Sequence, residues 1–197
     1  SGISGLKFNG QDEYAHVDGN SNLWVDFDGE QKEFTIMAWI FTNKDDSVQN
    51  IVYSSRDGEI NYTFYIDGKK LFLIGQDFLI NKIFFTSDNV IESNMWIHVA
   101  VTYNNGVVKI YVNGEEKDVT SVPSSINSFS DTGYHFLIGA ERKEYGNDSY
   151  FNGVITEVSV HSVERSQEYV QSQLELNYIY DEDGDPVESQ IVGRVED

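Results

Sequence analysis

The chain has 197 residues and carries 13 basic against 33 acidic side chains, a formal net charge of −20 at neutral pH. Such a surface repels nucleic acid and anionic lipid and attracts cations. The 40% hydrophobic and 14% aromatic content nevertheless provides for one domain with a sizeable core. Cysteine is absent, which excludes disulfides, zinc–thiolate sites and cysteine nucleophiles; no stretch reads as a membrane-crossing helix or a signal segment.

The dominant hydrophobic period is two, the period of a strand with two distinct faces. "LKFNG" sets Leu6 and Phe8 on one face. "FTIMAWIF" (34–41) is apolar on both faces and reads as a central strand between two layers, with Trp39 in the core. "NIVYSS" (50–55) is a further strand, and "NYTFYIDGKKLFLIG" (61–75) is a hairpin turning at Asp67-Gly68. "INKIFFTS" (80–87) follows. In "WIHVAVTYNNGVVKIYVNGEEKDV" (96–119), Trp96 is assigned to the core. Val99, Val101 and Tyr103 share one face, while His98, Ala100 and Thr102 share the other. Asn105-Gly106 and Asn113-Gly114 make two tight turns, so three adjacent antiparallel strands result, the last a charged edge. Residues 121–133 read as a polar loop, and "YHFLIGA" (134–140) and "GVITEVSVHS" (153–162) as the last clear strands. A short helix over 164–174 would set Val163, Val170 and Leu174 on one side. "LELNYIY" (174–180) is ambiguous, and "DEDGDPVESQIVGRVED" (181–197) reads as an acidic tail or a linker to a neighbouring domain. Many short strands, glycine-containing turns and almost no helix specify an all-β, two-sheet antiparallel β-sandwich of jelly-roll size over 1–180.

The ordered series "GLKFNGQDEYAHV" (5–17), "FTIMAWI" (34–40), "WIHVAVTYNNGVVKIYVNGE" (96–115), "FLIGA" (136–140) and "FNGVITEVSVHS" (151–162) resembles the laminin G-like, concanavalin A-like lectin/glucanase superfamily, in particular its bacterial surface-protein branch. The resemblance implies a two-sheet jelly roll, often with calcium at one rim. The partners it implies are glycans or proteins; some members of the fold are glycoside hydrolases. One departure matters. Where the family commonly places an acid after the "FNG.I" strand start, this chain has Thr156, with Glu157 next.

Calcium takes six to eight oxygen ligands, and three turns are rich in them. The first holds Asn9, Asp12 and Glu13, which Glu157 or the Thr156 carbonyl would approach if the resemblance holds. The second, "NKDDS" (43–47), holds Asp45 and Asp46; the third, "ERKEYGNDS" (141–149), holds Glu141, Asn147 and Asp148. The second and third meet if the strands before them end at the same rim. For sugar recognition, which needs rings flanked by amides and carboxylates, the best candidates are Tyr145, Asn147, Asp148 and Tyr150; Tyr14, Trp24 and Phe151 are further ring candidates. "NYT" at Asn61 and "NDS" at Asn147 match the N-glycosylation acceptor pattern.

Catalysis is not expected. The nearest match to the alternating acidic triplet of glucanases is Glu116 and Asp118, with Thr120 where a third acid belongs. His16, His98, His135 and His161 are scattered, and no phosphate-cradling loop or metalloprotease histidine pair occurs. The sequence thus reads as a non-catalytic, calcium-dependent extracellular or cell-surface binding module of bacterial type. It would be one unit of a larger adhesin or secreted protein, with a glycan or surface protein and neighbouring domains of its parent chain as partners. Nucleic acid and direct membrane insertion are not expected. The alternative is a structural spacer domain, and a glycoside hydrolase is weaker still.

Overall fold

The computed structural model describes residues 5–17, 33–56, 59–77, 80–123, 134–141, 149–174, 179–180 and 186–187. The alternating stretches form strands β1 (Leu6–Asn9), β2 (Ala15–Val17), β3 (Glu33–Thr42), β4 (Val48–Arg56), β5 (Glu59–Asp67), β6 (Lys70–Asp77), β7 (Ile80–Thr86), β8 (Trp96–Asn104) and β9 (Val107–Val112). They continue with β10 (Glu115–Lys117), β11 (Val119–Pro123), β12 (Tyr134–Ile138) and β13 (Asn152–His161). A six-residue helix α1 (Gln167–Ser172) follows, then the pair β14 (Ile179–Tyr180) and β15 (Pro186–Val187). A six-stranded sheet runs β1-β13-β3-β8-β9-β10, and a seven-stranded sheet runs β11-β7-β6-β5-β4-β12-β2, with antiparallel pairing throughout. This is the expected two-sheet β-sandwich with a jelly-roll architecture. Both lateral openings are bridged by chain crossing between sheets. β1 and β2 are edges of different sheets, and so are β10 and β11, which leaves fewer free edges for unwanted pairing.

Period two explains the interior. Phe34, Ile36, Ala38 and Ile40 of β3, Val99 and Val101 of β8 and Ile110 of β9 face Phe64, Ile66, Leu71 and Leu73 of the other sheet; all are fully or almost fully buried. Each such large side chain contributes about 1.5–3 kcal/mol relative to exposure. The two Asn-Gly turns form as read, with positive φ at Asn105 (48°), Gly106 (87°), Asn113 (49°) and Gly114 (75°). The Asp67-Gly68 turn sits one residue later. Asp67 pairs with Lys70, so Gly68-Lys69 spans the turn and only Gly68 takes positive φ. That pattern needs glycine at the first turn position and nothing special at the second.

The outer face of the six-stranded sheet departs from the sequence expectation. Trp39 and Trp96 are half-buried there instead of lying between the sheets, because residues 35, 37, 39 and 41 alternate away from the core. Part of this face is covered by α1, whose Val170 packs fully buried against Met37, Ala100 and Tyr111. The N-cap Ser166 accepts the Tyr169 amide hydrogen, and Glu168 stands in the first turn. Gln167 and Gln171 both donate to the Gly114 carbonyl, at 3.0 and 3.2 Å, and the Trp39 indole donates to the Gln173 carbonyl at 3.4 Å. Val163, expected beside Val170, is exposed: it precedes the helix, and its carbonyl accepts from Thr35. Residues 121–123, read as loop, extend β11 against β7. Phe151, read as a loop ring, is a core residue at 0% exposure, edge-on to Phe8. Of the acidic segment, Pro186–Val187 pairs with Ile179–Tyr180, and the remaining residues of 181–197 lie outside those described.

Candidate polar rim and its ligand groups

The first two oxygen-rich turns, and Glu141 and Ser149 that flank the third, lie at one end of the sandwich. β3 ends there at Thr42 and the chain re-enters as β4; β12 runs antiparallel to β4 and therefore ends where β4 begins. The start of β4 accordingly meets the residues on either side of the third turn. The Asn50 side chain donates to Glu141 Oε2 at 3.3 Å, and its backbone amide donates to the Ser149 carbonyl at 3.0 Å. The first turn joins them through β13. The pairing Asn9↔Asn152 brings it alongside, and Asn152 Nδ2 donates to the Asn9 carbonyl at 3.3 Å. Asn43 Nδ2 then donates to Asn152 Oδ1 at 2.8 Å.

Buried polar groups hold this rim in shape. Gln49, 1% exposed, accepts the Asn152 amide hydrogen at 3.0 Å and donates to the Lys44 carbonyl at 2.9 Å. Thr42 Oγ1 donates to the same Lys44 carbonyl at 2.6 Å, and Thr63 Oγ1 to Asn50 Oδ1 at 2.6 Å. Each bond satisfies a group whose burial unpaired would cost about 1–3 kcal/mol. Burial, and secondarily the charges of Asp67 and Glu141, push the Tyr65 hydroxyl well above its ordinary range, so Tyr65 stays neutral beside Glu141.

As a calcium cage the described oxygens are incomplete. Asn9 Oδ1 already accepts the Gln11 and Asp12 amide hydrogens, and Asp12 Oδ1 accepts from Asn9 Nδ2 at 2.7 Å. Asp45 is ion-paired to Lys69 at 3.1 Å. Glu13 and Asp46 are exposed. Glu157 does not join the first turn: it lies five residues beyond Asn152 along β13, roughly 15 Å away at strand rise. It occupies a bulge between Thr156 and Ser159 with φ +52°, and partial desolvation raises its carboxyl above the usual range. Among the described residues no three His, Asp or Glu side chains come together closely enough to hold a metal ion.

Of the sugar-recognition candidates, Tyr145, Asn147, Asp148 and Trp24 lie outside the described residues. Tyr150 is half-buried at the rim, and Tyr14 is exposed beside the first turn. Asn147 is likewise outside as a glycosylation candidate, while Asn61 falls within β5. The acidic triplet position is broken. Glu116 is in β10 of one sheet, Thr120 is in β11 of the other, and Asp118 is the crossing between them, so these residues share no face on which to flank a sugar. His98 is buried, His161 half-buried and His16 exposed.

Two antiparallel sheets closing over one apolar core, with polar turns gathered at one end, define a lectin-like jelly roll. The chain matches the concanavalin A-like lectin/glucanases superfamily over residues 9–171, and it belongs to that family. It is similar to a putative carbohydrate-binding protein from Bacteroides ovatus, with 26% identity and a TM-score of 0.53 over 72% of this chain and 40% of that one. A second similar structure is the sialidase CBM40 of Ruminococcus gnavus bound to α2,3-sialyllactose, with 17% identity and a TM-score of 0.57 over 73% of this chain and 83% of that one. A third is the binding domain of botulinum neurotoxin serotype D, with 20% identity and a TM-score of 0.61 over 91% of this chain and 45% of that one. The chain thus spans less than half of the first and third of these. No curated protein sequence matches it.

Proposed function

We propose that the chain is a non-catalytic binding module that acts outside the cell, one unit of a larger adhesin or secreted protein, with a glycan or surface protein as its partner. The observation that carries this reading is the meeting of Asn9, Asn43, Glu141 and Asn152 on one polar rim, held by the buried Gln49 and Asn50. Family membership and the likeness to a putative carbohydrate-binding protein support it. The separation of Glu116 from Thr120 onto different sheets supports the non-catalytic part, and among the described residues no helix is long and apolar enough to cross a membrane.

Calcium at this rim is part of the proposal. It is supported by the exposed Asp12, Glu13 and Asp46 and by Glu141 at the same end. Because those residues do not make a cage by themselves, further donors would have to come from elsewhere in the rim. The test is a thermal melt of thoroughly chelated protein against protein in millimolar calcium. Saturation a hundredfold above Kd would add about 2.7 kcal/mol, and an unchanged midpoint removes the metal from the proposal. For the ligand, loss of glycan-array binding in the Tyr145→Ala/Tyr150→Ala double variant would place recognition at that segment. Retained binding would place recognition on another part of the surface.

A further inference from the structure

The outer face of the six-stranded sheet carries two adjacent cross-strand rows next to the rim. Strand alternation sets Asn9 of β1, Asn152 of β13 and Asn43, just past β3, in line, with Asn94 in the turn before β8. One step inward, Lys7, Val154, Phe41 and Trp96 form the next row through the pairings Lys7↔Val154, Val154↔Phe41 and Phe41↔Trp96. Phe41 and Trp96 lie 5.6 Å apart with their planes tilted by 58°, both half-buried. The helix covers the neighbouring part of the face, around Met37, Ala100 and Tyr111.

We infer that this amide row and the Phe41–Trp96 pair form a site for an uncharged pyranose-containing glycan. The inference rests on the reading of the chain as a glycan-binding module. Its parts match the chemistry of a sugar. Apolar ring faces of a pyranose pack on aromatic carbons, and amides supply both donor and acceptor to neighbouring hydroxyls. Asn43 and Asn152 each have one N–H committed within the row and a second in excess of those bonds. The row is also pre-organised. Gln49 accepts the Asn152 amide hydrogen, the Asn43 amide donates to the Asn152 carbonyl at 2.9 Å, and the Asn94 amide donates to the Thr42 carbonyl at 2.7 Å. Groups fixed before binding lose little freedom when a ligand arrives. Charge selects the class of sugar. The two rows contain one charged side chain, Lys7, in a protein of net charge −20, so a neutral glycan meets no penalty while a polyanionic one is repelled.

The experiment is affinity electrophoresis of the full chain through gels containing galactan, xyloglucan or mixed-linkage glucan, with polygalacturonate as the anionic comparison. The wild type should be retarded by at least one neutral gel and not by polygalacturonate. Trp96→Ala should weaken that retardation tenfold or more and Asn43→Ala several-fold, with thermal midpoints close to wild type. Because Trp96 also packs on Phe41, Trp96→Phe provides a second reading: it keeps an aromatic ring, so retardation should be largely retained. Wild-type retardation that both alanine variants share in full would overturn this site and leave the glycan-binding reading standing. Retardation by polygalacturonate alone would overturn the neutral class. No retardation by any gel would overturn this site and leave a surface protein as the module's partner.

Discussion

His98 makes the fold acid-sensitive by an amount that can be worked out in advance. Its ring lies on the outer face of the six-stranded sheet, 2% exposed, with Trp39 of β3 edge-on at 5.3 Å. From the turn after β9, Asn113 Oδ1 accepts the His98 backbone amide at 2.9 Å. The ring's Nδ1 is buried with no hydrogen-bond partner among the described residues. Burial alone lowers its pKa from 6.5 to about 4. The unfolded chain therefore binds the proton first as pH falls, so the stability contributed by the neutral ring is complete above about pH 6.5 and is lost progressively toward pH 4. Between pH 7 and 5 the loss is about 2 kcal/mol, or roughly 4–8 °C in Tm for a chain of this size. The assay is urea denaturation of wild type and His98→Leu at both pH values and fixed ionic strength. Titrating carboxylates shift both proteins alike, so the difference between the two pH dependences isolates the histidine. The variant should lose about 2 kcal/mol less than wild type over this interval. Equal losses, within about 0.5 kcal/mol, would refute the argument that buried His98 must stay neutral for the sheet and its covering helix to remain packed.

Two further substitutions test the packing that positions the rim and the helix. Gly153 has φ +144°, and a Cβ there would stand 1.9 Å from the Phe41 carbonyl oxygen; Gly153→Ala should destabilise by about 3 kcal/mol or more, read as a fall in the urea midpoint. A midpoint close to wild type would mean that β3 and β13 are not so closely apposed. Val170→Ala removes the one fully buried side chain of α1 and should cost about 2 kcal/mol. Faster amide exchange at Met37 and Ala100 should accompany it, and unchanged exchange there would show that the helix does not seal this face.

The strands and the two Asn-Gly turns were legible because period two and the requirement for positive φ are local properties. Glu157 shows the limit of that reading. Its spacing from "FNG" allowed an approach to the first turn, yet the pairing Asn9↔Asn152 brings that turn to the beginning of β13 and a bulge takes Glu157 away from it. Register is set by contacts between strands distant in sequence, and a local pattern does not contain it. The same reason governs Trp39 and Trp96. A strand apolar on both faces reads as buried on both, and "FTIMAWIF" is such a strand. What alternation leaves unstated is what covers the second face: a six-residue helix covers the middle of it, at Met37 and Ala100, while Phe41 and Trp96 are half-buried beside a row of asparagines. Of those asparagines the local pattern singles out Asn9 alone, as a calcium oxygen. Their alignment across β1, β13 and the end of β3 exists only once the sheet is assembled, and it puts amides next to aromatic rings on a surface that charge alone would have assigned to cations.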